Sequence, residues 1–106
     1  MKVYSRDEAY TLANSADHRD YYDKWAKTYD QDFAEQTKYI YPRKICDVLN
    51  LRSQAKDLII ADIGCGTGLI GAELSNRKWV IDGFDISAGM LKEARKKGVY
   101  RELIRL

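Results

Sequence analysis

Proline, cysteine and histidine are all scarce in this chain of 106 residues, with one, two and one copies. Cys46 and Cys65 cannot build a disulfide framework, and with His18 as the sole imidazole they do not make a plausible zinc site. Free thiols fit a reducing compartment, so the cytoplasm is the expected location, with the nucleus as the alternative. Long apolar runs are missing too: no stretch approaches the roughly 20 residues of a membrane span. The opening residues Met1-Lys2-Val3-Tyr4-Ser5-Arg6-Asp7-Glu8 turn polar at once and hold no secretory hydrophobic segment. Nor is there an excess of charge. The formal net charge of +2 gives no reason to expect nucleic acid or an anionic membrane as partner. Arg95-Lys96-Lys97 reads as the basic last turn of a helix, complementing its dipole. Neither internal repeats nor low-complexity segments occur. What remains, with 45% apolar and 32% charged residues, is one ordinary globular unit.

The first part of the chain, residues 1–57, reads as helical. Ser5-Arg6-Asp7-Glu8 has the form of a capping box ahead of Ala9, Tyr10, Leu12 and Ala13. Asp17 is a candidate cap for a second helix, whose Tyr21, Tyr22, Trp25, Ala26 and Tyr29 form an aromatic stripe. Pro42 suits the first position of a third helix, with Ile45, Val48, Leu49 and Cys46 as its inward candidates. Asn50 to Asp57 reads as a loop. From residue 58 to 106 the pattern alternates. Leu58 to Ile63 predicts a buried parallel strand and Leu69 to Asn76 a helix. Trp79 to Phe84 predicts a second strand. Ser87 caps a helix that Gly98 stops, and Val99 to Leu106 is either a third strand or more helix. Strand, helix, strand and helix with short turns make a right-handed parallel unit.

The most informative run is Ile60-Ala61-Asp62-Ile63-Gly64-Cys65-Gly66-Thr67-Gly68-Leu69. Glycines between a strand and a helix let a ligand lie against bare backbone, near the positive end of the helix. Dinucleotide sites use G-x-G-x-x-G, but the third glycine's place is taken here by Leu69. The glycines are instead 64, 66 and 68, with Asp62 upstream. A second acid, Asp85, follows Gly64 by about 20 residues at the end of the second strand, where a carboxylate accepts ribose hydroxyls.

This G-x-G-x-G run with its upstream acid resembles the first motif of class I S-adenosylmethionine-dependent methyltransferases. Asp85-Ile86-Ser87-Ala88-Gly89-Met90-Leu91 looks like the D-x-S-x-x-M-L segment of the same family. Tyr21-Tyr22-Asp23-Lys24-Trp25-Ala26-Lys27-Thr28-Tyr29-Asp30-Gln31-Asp32 is similar to the segment preceding that motif in the Williams–Beuren syndrome region methyltransferase-like proteins. Tyr39, Tyr41, Pro42 and Gly98-Val99-Tyr100 fit the same group.

The resemblance implies an α/β fold in which N-terminal helices (1–57, a cofactor lid) precede an incomplete Rossmann-like βαβα unit (58–106). It implies S-adenosylmethionine as cofactor. The loop from Asp62 through Gly64, Cys65, Gly66 and Thr67 to Gly68 would receive the methionine portion. Asp62 would serve the ammonium group or, as the structural alternative, tie the loop's amides together. Asp85 would hold the ribose and Ile86 flank the adenine. Met90 would flank the adenine as well or serve as core. Tyr29 would close over the methionine end, while a helix packed on the sheet is the plain alternative for Trp25 and Tyr29. Cys65 has no histidine near it in sequence and reads as packing, and His18 as a solvated residue at a helix start. No catalytic residue is assigned. The family's acceptor and catalytic positions would lie beyond Leu106, so the chain resembles the N-terminal part of a methyltransferase: a fragment, a short splice form or a truncated gene. The open edge of the first strand predicts self-association and weak cofactor binding. The alternatives are a non-catalytic module or pseudoenzyme paired with another subunit, and a nicotinamide-dependent oxidoreductase fragment.

Overall fold

The computed structural model of the chain describes residues 2, 4–37, 40–52, 58–75 and 77–106. The helices α1 (Arg6–Ala9), α2 (Ser15–Trp25), α3 (Tyr29–Thr37) and α4 (Ile40–Arg52) come first. They are followed by β1 (Ile59–Ile63), α5 (Leu69–Leu74), β2 (Val80–Asp85), α6 (Ala88–Lys97) and β3 (Glu102–Arg105). The strands form one parallel sheet in the order β1-β2-β3. The expected α/β class holds, and the closing run is a strand rather than more helix.

Local hydrogen bonds fix the element ends, and several differ from expectation. Ser5 caps α1 by accepting the Glu8 amide at 3.2 Å, but the box is not reciprocal. The Tyr21 hydroxyl accepts the Ser5 amide at 2.8 Å instead, and the Glu8 carboxylate pairs with Lys2. Asn14, not Asp17, caps α2; its side chain accepts the Asp17 amide at 2.9 Å. A turn at residues 26–28 divides the aromatic stripe between α2 and α3. Pro42 is the third residue of α4, still among the positions whose amides need no intrahelical acceptor. Asn50 to Arg52 are helical, whereas 53–57 of the expected loop lie outside the described residues, as do the side chains of Tyr39, Tyr41 and Pro42. Ser87 and Gly98 cap α6 as expected: Ser87 Oγ accepts the Met90 amide at 3.1 Å, and Gly98 takes φ 67°.

Two cores result. The helical segment is built around Ala9, Tyr21 and Trp25, with Tyr4, Leu12, Tyr22 and Tyr29 packed on them. Beneath the sheet, Cys46, Leu74 and Ile81 are joined by Leu49, Ile60, Ile70, Trp79 and Tyr100. On α4 the inward stripe is therefore Cys46 and Leu49, while Ile45 and Val48 are exposed. The two pairs share helical spacing and lie on adjoining faces, so periodicity alone could not choose between them.

Side chains alternate across a strand, and the register puts Ile60, Asp62, Ile81, Gly83 and Leu103 on the covered face. The other face carries Ile59, Ile63, Phe84 and Ile104. Ile59 and Ile63 are 72% and 69% exposed, so β1 is half-open rather than buried through. Parallel sheets ordinarily have both faces covered. Among the described residues, one layer does that for one face only. No helix among those residues is long and apolar enough to cross a membrane.

Candidate functional site

The loop after β1 is shaped by the end of β2. Phe84 O accepts the amides of both Gly64 (2.7 Å) and Cys65 (3.0 Å), which turns the chain across the carboxyl edge of the sheet. Gly64, Gly66 and Gly68 then take φ of 71°, 56° and 89°. That left-handed conformation costs roughly 1–2 kcal/mol for a residue with a side chain. At Gly64 and Gly66 an added Cβ would meet nothing within 4 Å, so these two present open backbone. Gly68 differs: an added Cβ would lie 2.9 Å from the Tyr100 ring.

Asp85 ends β2 and ties the two turns together. Its Oδ2 accepts the Gly66 amide and its Oδ1 the Ser87 amide, both at 2.9 Å. Each carboxylate oxygen keeps a further lone pair for an incoming hydroxyl. Tying loop amides, weighed for Asp62 as its structural alternative, thus falls to Asp85. Asp62 lies behind the loop and accepts a hydrogen bond from Tyr100 Oη at 2.7 Å. Burial pushes the Asp62 acid up, the Tyr100 hydroxyl opposes that, and the Asp85 charge adds to it. Among the described residues no cation pairs with Asp62.

The helical segment roofs this edge. α2 supplies Ser15, His18 and Tyr22 from one face, and Tyr29 follows from α3. With Gly64, Gly66, Asp85, Ile86 and Met90 they enclose a cavity of about 410 Å³. A second cavity of about 260 Å³ shares Tyr29, Gly64 and Gly66 and runs along the loop past Cys65 and Thr67 to Arg6 and Phe33. Tyr29 stands between the two, 4.6 Å from Trp25 edge-on and 5.4 Å from Phe33 in a stack. Burial pushes its phenol up to about 12, so it stays neutral.

Two carboxylates of the helical segment fasten the roof to the turns. Asp30 accepts a hydrogen bond from Thr67 Oγ1, and Lys97 Nζ bonds both Asp30 and the Thr67 carbonyl at 2.6 Å. Asp23 accepts hydrogen bonds from Ser87 Oγ and from the Gly89 amide, the latter at 2.9 Å.

Most of the residues singled out from sequence converge here. Tyr29, Gly64, Gly66, Asp85, Ile86 and Met90 line the larger cavity, and Cys65 and Thr67 the smaller. Met90 lines it while remaining 2% exposed, so it is core and wall at once. Asp62 and Gly68 line neither cavity. Cys65 is buried and its thiol pushed up to about 12 by burial, reinforced by Asp62 and Asp85, which suits packing and not nucleophilic attack. Trp25 is wholly buried and its Nε1 donates to Asp32 at 2.8 Å; it packs in the helical core with Ala9 and Tyr21, not on the sheet. His18 lies in the first turn of α2, as expected, but is half-buried and lines the cavity wall. Its place four residues before Tyr22 was the available signal.

Residues 60–105 match a family model described as a methyltransferase domain. Human methyltransferase-like protein 27 is 38% identical over 98 residues, which is 90% of this chain and 40% of that protein. Magnesium protoporphyrin IX methyltransferase from Synechocystis, solved with bound S-adenosylmethionine, superposes with a TM-score of 0.66 at 22% identity, over 90% of this chain and 55% of its own. An S-adenosylmethionine-dependent methyltransferase from Clostridium acetobutylicum gives 0.57 at 26%, over 80% and 36%. The chain therefore spans less than half the length of the human relative. The likeness to these solved structures shows a Rossmann-like fold.

Proposed function

We propose that this chain supplies the methyl-donor site of an S-adenosylmethionine-dependent methyltransferase. The observation that carries the reading is the cavity between the two turns. It has open glycine backbone on one side, a carboxylate at the strand end and aromatic rings above. The residues fit the nucleoside. Asp85 keeps acceptor capacity for ribose hydroxyls. Ile86 and Met90 offer an apolar wall for adenine. The bare faces of Gly64 and Gly66 admit the methionine portion, and Asp62 supplies the negative charge its ammonium needs. Arg6, lining the smaller cavity, supplies positive charge for the carboxylate.

The cofactor, when bound, provides a methyl group on a positively charged sulfur. Such a transfer needs orientation and exclusion of water more than acid–base groups. Tyr22 and Tyr29 serve both ends, since they roof the cavity and stay uncharged. The acceptor and the residues that meet it stay unassigned.

Titration calorimetry with S-adenosylhomocysteine and with NAD tests the reading. Binding of the first and not the second is expected, and Asp85→Ala should weaken it about a hundredfold. Binding of NAD alone would favour the oxidoreductase alternative. The exposed Ile59 and Ile63 of β1 and Ile104 of β3, on one face of the sheet, support a second reading, a cofactor-binding module completed by another subunit or by a second copy of itself. Sedimentation of the chain distinguishes these: a monomer that methylates an acceptor rules the second reading out.

A further inference from the structure

We propose that Tyr100 is a positioning residue for the cofactor site, its phenol holding the Asp62 carboxylate beneath the glycine loop for the ammonium end of the nucleoside. The inference rests on the assignment of Asp62 made above.

Three glycines make room for one ring. A Cβ added at Gly68, at the start of α5, would lie 2.9 Å from Tyr100 Cε2. Added at Gly71, inside α5, it would lie 2.5 Å from Tyr100 Oη, and at Gly83, within β2, 2.9 Å from Cδ1. Glycine is disfavoured inside both helices and strands, so Gly71 and Gly83 call for a physical reason. The ring supplies it. The backbone on either side is also fixed. Gly98 ends α6 in the left-handed conformation, and the Arg101 amide donates to Ile81 O at 2.8 Å. Between these points Tyr100 runs back under the loop.

Space-filling alone would not require the hydroxyl. Its bond to Asp62 is the one hydrogen bond that the carboxylate makes among the described residues, and such bonds to a charged acceptor are the stronger kind. Burial and the neighbouring Asp62 push the Tyr100 phenol well up, so it remains a donor throughout the physiological range. The hydroxyl thus offsets part of the burial cost of Asp62 and favours its ionised form, the form that attracts an ammonium group.

The test compares two probes in the full chain. S-adenosylhomocysteine and 5′-methylthioadenosine share the nucleoside and the sulfur, but only the first carries the amino-acid end. Tyr100→Phe should weaken S-adenosylhomocysteine about tenfold and leave methylthioadenosine within about twofold. The acid limb of S-adenosylhomocysteine binding should move to higher pH. Asp62→Asn should show the same selectivity. If Tyr100→Phe weakens both probes alike, or neither, while Asp62→Asn stays selective, Tyr100 only fills space and the proposal is overturned. If Asp62→Asn itself is unselective, the assignment of Asp62 fails first and takes this proposal with it. Should Tyr100→Phe not fold, Gly71→Ala decides by the same comparison, because it crowds the phenol oxygen and removes no polar group.

Discussion

The helical segment holds itself together with rings, while the strand-and-helix half does so with aliphatic side chains and glycine-sized gaps. In the first, Trp25, Tyr21, Tyr22 and Tyr29 pack at centroid distances between 4.6 and 6.4 Å. In the second, Leu74, Ile81 and Ile60 form the core, and three glycines yield space to Tyr100. The difference teaches where each half keeps its function. The first presents large, neutral, flat surfaces and can serve as a roof. The second presents bare backbone and carboxylates and can serve as a floor. The cavity lined by Tyr22, Tyr29, Gly64 and Asp85 needs both halves.

If the two cores are separate units of stability, Trp25→Ala should cost about 3–5 kcal/mol and fall on the helical segment. Hydrogen exchange then shows protection lost in α2 and α3 and kept in β1 and β2. Simultaneous loss everywhere would merge the two cores into one. Asp85→Ala acts on the floor. It leaves the Gly66 and Ser87 amides without their acceptor and should reduce S-adenosylhomocysteine affinity about a hundredfold, about 2.7 kcal/mol. An unchanged calorimetric titration would remove Asp85 from the site. Asp30→Asn weakens the fastening between the halves and should lower stability by about 1 kcal/mol. Denaturant titration checks it, and no change in midpoint would mean the Lys97–Asp30 contact contributes nothing.

The smallest effect concerns pH. Burial raises the Asp62 acid in the folded chain above its unfolded value. Its contribution to stability is thus fully present below the unfolded value and lost as pH rises through the folded one. Asp62→Asn should therefore melt slightly higher than the parent at pH 7, and the gap should close in acid. A parent that melts higher at pH 7 contradicts that sign.

The floor was far more legible in the sequence than the roof. Gly64 and Gly66 announce themselves because left-handed backbone against a ligand admits little else, and Asp85 is fixed by the length of a βαβ unit. Ser87 and Gly98 mark α6 for equally local reasons. The roof depends on longer-range choices. Asn14 and Asp17 are both competent caps, and Asn14 takes the role by accepting the Asp17 amide. On α4 two adjoining stripes satisfied the same period, and the contact of Cys46 with Ile70 decided between them. Tyr100 was noticed for resemblance only. Its partner lies 38 residues away, and its space comes from glycines on two elements, α5 and β2.

Asp23 and Asp30 lie seven residues apart on the segment that carries the roof, and each grips a different turn of the floor. On the proposed function, loosening either grip would let Tyr22 and Tyr29 lift from the floor. Residence time of a bound nucleoside would then depend on two polar contacts outside the lining of the larger cavity.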